Sequence, residues 1–160
     1  MKELELPLVG AGGERVDLRR TIASHGLVSL PPMEPLADNA ALRITLPVSK
    51  GAPRTVVISE EKPGIATIEM LGRAPAAAAR AEIVAPVRHV LALDRDLSTF
   101  YERAAKDPAL DWVTSGAGRM IQSPTVFEDV VKTICTTNCS WGATTRMVSA
   151  LVEHLGPRAP

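Results

Sequence analysis

Leu4, Leu6 and Leu8 alternate with other residues at the start of the chain, a period of two that predicts a half-buried strand. Asp17 stands where a helix N-cap is needed, ahead of LRRTIASH, and Gly26 offers a stop at the far end. Pro31 and Pro32 hold the next segment extended. Leu42, Ile44, Leu46 and Val48 alternate strictly, the clearest strand pattern in the chain. RTVVISE and IATIEML then flank Glu61-Lys62-Pro63-Gly64, where Pro followed by Gly at the central positions fits a type II turn. The two runs read as a hairpin. Residues 1–72 therefore predict a small antiparallel sheet carrying one helix.

The period changes after that. APAAAARAEIVAPV is dense in alanine and favours helix, with Pro86 expected to break or kink it. In DLSTFYERAAKDPAL, Leu97, Phe100, Tyr101 and Ala104 share one helical face. Asp107-Pro108 offers a cap and a first-turn proline for another short helix, which Gly116-Ala117-Gly118 ends. Ser123-Pro124 opens the next helix in the same way. Phe127, Val130, Val131, Ile134 and Cys135 then form a stripe expected to face the core. A second stripe runs Met147, Val148, Leu151, Val152 and Leu155, and Gly156-Pro157 stops it. The stripes are joined by the polar run Thr136-Thr137-Asn138-Cys139-Ser140, so the end of the chain reads as a helical hairpin with a polar tip. The whole is α+β, with the strands first and the helices second.

Composition narrows the picture only a little. The chain has 160 residues, and its 18 basic and 18 acidic side chains leave no net charge to steer it onto nucleic acid or an anionic membrane. No apolar run is long enough to span a bilayer, and MKELELPLVGAGG lacks the apolar core of a signal peptide. A cytoplasmic protein without a membrane partner is the expectation. Two cysteines make neither a disulfide framework nor a complete zinc site.

Candidate chemistry is sparse. Cys135 and Cys139 stand four apart without a third ligand nearby, so no metal site is expected and Cys135 reads as a plain buried thiol. His25, His89 and His154 are scattered and form no assignable triad. VGAGG at 9–13 lacks the residues that complete a phosphate loop and reads as a flexible turn. The acidic pairs Glu60-Glu61 and Asp94-Asp96 read as a turn and a helix cap. On residues alone, the 136–140 run is a polar connection between helices or a tip that touches a ligand.

SPTVFEDVVKTICTTNCSWGATTRMVSALVEHLGPR resembles the helix-hairpin-helix DNA glycosylases, in particular their oxidised-guanine and alkylated-purine branches. Members of the oxidised-guanine branch carry a helix ending Ile-Cys-Ser-Ser-Asn, polar residues, and a second helix ending Gly-Pro-Arg. The same register is kept by Pro124, Ile134, Cys135, Asn138, Met147, Val148, Gly156, Pro157 and Arg158. LRRTIASHGLVSLPPM is similar to the start of the sheet domain that precedes the helical domain in those branches, and VRHVLALDRDLSTFYERAAKDPAL is similar to the connection in bacterial members.

The resemblance implies a small antiparallel sheet domain over 1–72, a helical connection over 73–118, and the first helices of an all-α glycosylase domain over 119–160. It implies a base-excision-repair enzyme that rotates a damaged purine out of duplex DNA, because a stacked base cannot be reached. Asn138 takes the position of the wedge that fills the vacated space, Cys139 and Ser140 lie beside it, and Thr136 and Thr137 support the tip. His25 and Gly26 match the sheet-domain glycine that borders the base pocket. Ala143 stands where the oxidised-guanine enzymes place an Arg that reads the partner cytosine. No residue matches the family's catalytic Asp, so none of the catalytic residues is expected in this chain and it should not excise bases alone. Neither a cofactor nor a metal is implied for these residues. The implied partners are damaged duplex DNA and the remaining half of the polypeptide, with self-association possible for the chain on its own. The implied location is the bacterial cytoplasm, at the nucleoid. The competing reading is a self-contained, non-catalytic module that binds DNA or a protein partner.

Overall fold

The computed structural model describes residues 3–49, 51–72 and 81–159. Five strands form one antiparallel sheet: β1 (Glu3–Pro7), β2 (Met33–Leu36), β3 (Ala41–Leu46), β4 (Arg54–Lys62) and β5 (Ile65–Met70), in the order β1-β5-β4-β3-β2. The helices are α1 (Leu18–Ile22), α2 (Ala81–Val90), α3 (Ser98–Ala104), α4 (Val126–Thr136) and α5 (Trp141–Leu155), with 3₁₀ turns at Gly26–Ser29 and Asp111–Ser115. The α+β class follows, with strands preceding most of the helical chain. Among the described residues, no helix is long and apolar enough to cross a membrane.

The period-two pattern does what physics asks of it. Leu42, Ile44 and Leu46 of β3 are fully buried while Arg43 points to solvent. Lys62 pairs with Ile65 across the β4–β5 turn, and Gly64 supplies the positive φ (77°) that a type II turn needs at its third position. The main core gathers these strands with Leu18 and Ile22 of α1, with Ile83, Val87 and Val90 of α2, and with Ile121 far along the chain.

Several expected boundaries move. Asp17 does cap α1, accepting from the Arg20 N–H at 2.9 Å, but the helix ends at Ile22 rather than at Gly26. The Ala23 N–H closes it by donating to the Arg19 carbonyl at 3.0 Å, and the chain restarts as a 3₁₀ turn capped by His25. Pro86 lies inside α2 without ending it, because the neighbouring Ile83 and Val87 are both fully buried and tertiary packing outweighs the lost bond. The 73–80 part of the alanine run lies outside the described residues. The Asp107-Pro108 helix is a turn, and the helical residues begin at Asp111 instead. The N-cap of α4 is Thr125, two residues past Ser123: its Oγ1 accepts from the Glu128 N–H at 3.2 Å, in a Thr-x-x-Glu arrangement.

The larger correction concerns the stripe on α4. It does not face the core. Phe127 is 76% exposed, Ile134 62% and Val130 50%, and Cys135 is only partly buried. The residue that α4 buries is Lys132. Its ammonium donates to Ser123 Oγ at 3.0 Å and lies 3.8 Å from Glu128, one turn back. Amphipathicity marks which face is apolar but not what covers it, and here the helix is seated on its charged side.

Burial pushes the Lys132 pKa below its usual 10.5, against the pull of Glu128 and Asp129. The unfolded chain therefore holds this proton more tightly than the folded one. Stability should rise with pH between the depressed value and 10.5 as the native ammonium is relieved of its charge. Lys132→Met should melt higher than the native chain at neutral pH, with the advantage shrinking through the alkaline range. Parallel melting curves that keep a constant gap would show that Lys132 carries no such penalty.

Candidate functional site

The hairpin tip is built from its own hydroxyls. Thr136 Oγ1 donates to the Thr133 carbonyl at 2.6 Å, and Thr137 Oγ1 to the Ile134 carbonyl at 2.7 Å, so both side chains close the last turn of α4. Asn138 follows in the left-handed region (φ 52°), which Asn tolerates better than most residues, and its side chain is exposed. Ser140 caps α5, accepting from the Ala143 N–H at 3.3 Å.

Two bonds tie the tip back onto α4. Thr144, nearly fully buried, donates through Oγ1 to the Cys135 carbonyl at 2.8 Å. The Cys139 thiol approaches the same carbonyl at 2.9 Å and lies 3.4 Å from Thr144 Oγ1. A helix C-terminus leaves carbonyls without partners, and these two side chains satisfy one of them. Both cysteines are free thiols; Cys135 is partly buried and Cys139 is exposed at the tip. Thr144 carries no motif. Its signal in the sequence is only that a polar residue shares the i, i+4 face of α5 with buried Val148.

His25 and Gly26 sit at the seam between the sheet and the hairpin. His25 Nδ1 accepts from the Leu27 N–H at 3.2 Å, so its Nε2 carries the proton and donates to the Ile121 carbonyl at 2.8 Å. Ser24 Oγ accepts from the Ile121 N–H at 3.0 Å. His25 thus caps its own 3₁₀ turn through Nδ1 and holds the segment that leads into α4 through Nε2. Gly26 faces Trp141, the first residue of α5: a Cβ added at Gly26 would stand 3.4 Å from the outer edge of the indole. The fold therefore brings Gly26 beside the tip, one residue past Ser140.

The same seam rests on a buried ion pair. The Arg119 guanidinium is fully buried and donates to the Glu14 carboxylate and to the carbonyls of Ala92 and Arg95, the last at 3.0 Å. Glu14 also accepts from the Leu97 N–H at 2.9 Å. The glycine run at 9–13 wraps this pair. A Cβ at Gly10 would collide with the guanidinium and the carboxylate, so the run is a close-approach turn and not a loose one. Among the described residues, no three His, Cys, Asp or Glu side chains cluster as a metal ion would require.

Beside the hairpin runs an apolar groove of about 770 Å³. It is lined by Phe127 and Val131 of α4, by Leu151 and Leu155 of α5, and by Pro31, Pro47 and Pro53 from the segments that flank the strands. Glu128 and Lys132 stand at its polar end. Burial raises the Glu128 pKa above the ordinary carboxylate value, with Lys132 opposing it.

This arrangement, a five-stranded sheet joined through a helical connection to a polar-tipped hairpin, has a solved counterpart: the 3-methyladenine DNA-glycosylase from Archaeoglobus fulgidus. The two superpose with a TM-score of 0.68 and 17% sequence identity, over 94% of this chain and 50% of that protein. The chain has a DNA glycosylase fold. It spans about half the length of the glycosylase it matches. No protein-family model matches the sequence, and no curated protein does either.

Proposed function

We propose that this chain is the N-terminal portion of a base-excision-repair DNA glycosylase of the helix-hairpin-helix superfamily, acting on damaged purines in duplex DNA in the cytoplasm. It contributes the sheet and the wedge, and the polypeptide's other half contributes the catalytic Asp. The observation that carries this reading is the exposed, left-handed Asn138 at a hairpin tip within a glycosylase fold.

The chemistry is then positional. Flipping a base leaves a gap whose lost stacking costs a few kcal/mol unless it is filled. A short amide on a rigid support can enter the gap and hydrogen-bond the widowed base. The tip supports that need: Thr136, Thr137, Cys139 and Thr144 all bond backbone carbonyls at 2.6–2.9 Å, which among the described residues leaves Asn138 the free polar group at its apex. The open groove beside α4 and α5 is where the remaining half of the enzyme would seat.

Binding to a duplex with one tetrahydrofuran abasic analogue, compared with the same duplex undamaged, tests the wedge. The native chain should prefer the gapped duplex. Asn138→Gly keeps the left-handed backbone and removes only the amide, and it should reduce that preference by roughly tenfold. Equal weakening on both duplexes would remove Asn138 from this role.

A further inference from the structure

The chain has five aromatic residues, and four have an assignable place. Tyr101 is buried, and its hydroxyl donates to the Ala117 carbonyl at 2.6 Å. Phe100 lies 5.6 Å from Tyr101, ring to ring. Trp112 stacks under the Arg20 guanidinium at 5.4 Å. Phe127 lines the apolar groove. Trp141 is the fifth. It is 47% exposed, although it sits on the seam where the sheet meets the hairpin. Gly26 holds the outer edge of its indole and has no side chain to cover the ring.

Position gives this ring a use. Trp141 is three residues past Asn138, so their Cα atoms stand at most about 10 Å apart. Successive bases of one strand are spaced by about 3.4 Å along the duplex axis. A ring carried on a backbone position that close to the gap-filling residue is placed to meet a base near the gap. An indole offers every base a π-face without reading its edge.

We propose that Trp141 is a stacking platform for a nucleobase next to the gap that Asn138 fills, with Gly26 kept small so that the ring stays open. The inference rests on the wedge reading and extends it: the tip would fix one base position, and the indole beside it would hold a neighbour that has lost its own stacking partner. A Cβ at Gly26 would meet the indole edge at 3.4 Å, an ordinary contact, so only a larger side chain there would crowd the ring.

Trp112→Phe leaves Trp141 as the single tryptophan, so its emission reports this ring alone. Titration with the tetrahydrofuran duplex should quench that emission, in step with binding followed by anisotropy of an end-labelled strand. Trp141→Phe should keep the affinity within about twofold, and Trp141→Leu should lose roughly tenfold. Binding with unchanged Trp141 emission overturns the platform and leaves the wedge standing. So does a folded Trp141→Leu chain that binds as well as Trp141→Phe. If Trp141→Leu fails to fold, the emission experiment decides. No binding to either duplex overturns the wedge reading and the platform with it.

Discussion

Arg119→Met should destabilise the chain by about 3–5 kcal/mol, the usual cost of leaving one member of a buried ion pair without its partner. Glu14 would keep its bond from the Leu97 N–H but hold an uncompensated charge, and the Ala92 carbonyl would lose the guanidinium that it accepts from. That loss is a large part of the roughly 5–15 kcal/mol that holds most domains together. In a chain of this size it should lower the melting temperature by roughly 10 °C. Adding Glu14→Gln to Arg119→Met should recover part of the loss, because the orphaned charge goes with it. Urea or thermal unfolding measures all three proteins. A single variant within about 1 kcal/mol of the native chain would show that water reaches the pair and that the glycine turn at 9–13 is not holding it closed.

The purified chain should associate through α4 and α5. Phe127 and Leu155 are 76% and 77% exposed, and Val126, Val130 and Ile134 add to the same surface. Each large apolar side chain taken out of water contributes about 1.5–3 kcal/mol. A two-fold pairing would bury at least two per copy, which sets roughly 6–12 kcal/mol against the roughly 4–15 kcal/mol that association costs. The two ranges overlap, so two side chains per copy roughly offset the cost, and burying Val126, Val130 and Ile134 as well favours a concentration-dependent association. Sedimentation velocity across a concentration series should show it, and the double substitution Phe127→Glu with Leu155→Glu should abolish it. A native chain that stays monomeric at high concentration and binds no apolar dye would mean that its own residues cover this surface in solution, against the exposure of Phe127 and Leu155. The self-contained module would then describe the protein better than the glycosylase portion does.

Much of this fold is legible in the sequence because the signals are local. Strand alternation at 42–46, Pro63-Gly64 between two apolar runs, and the Asp17 cap each need only a few neighbouring residues. The polar tip is legible for the same reason. What escapes is whatever depends on a distant partner. His25 reads as a loose histidine until its ring is seen bonded to Ile121, 96 residues away. Arg119 and Glu14, 105 residues apart, each look like a solvent-exposed charge. Lys132 interrupts an apolar stripe, and nothing in the spacing says that the helix would bury this side and leave Phe127 outside. Trp141 shows its place only when Gly26 is beside it.

The strand order also fixes when the sheet can be completed. β2, β3 and β4 each pair with the next strand in the chain, so β2 through β5 can zip up as they are made. β1 pairs only with β5, Pro7 against Ile65 and Glu3 against Glu69. About sixty residues must be looped out to join them, which costs roughly 2 kcal/mol more in closure entropy than the β3–β4 turn. The first strand to leave the ribosome is therefore the last to find its place. Until β5 emerges, Leu4 and Leu6 have no strand to pair beside and the outer edge of β4 has no neighbour. Folding of the nascent chain should show a late step, docking of its own N-terminus.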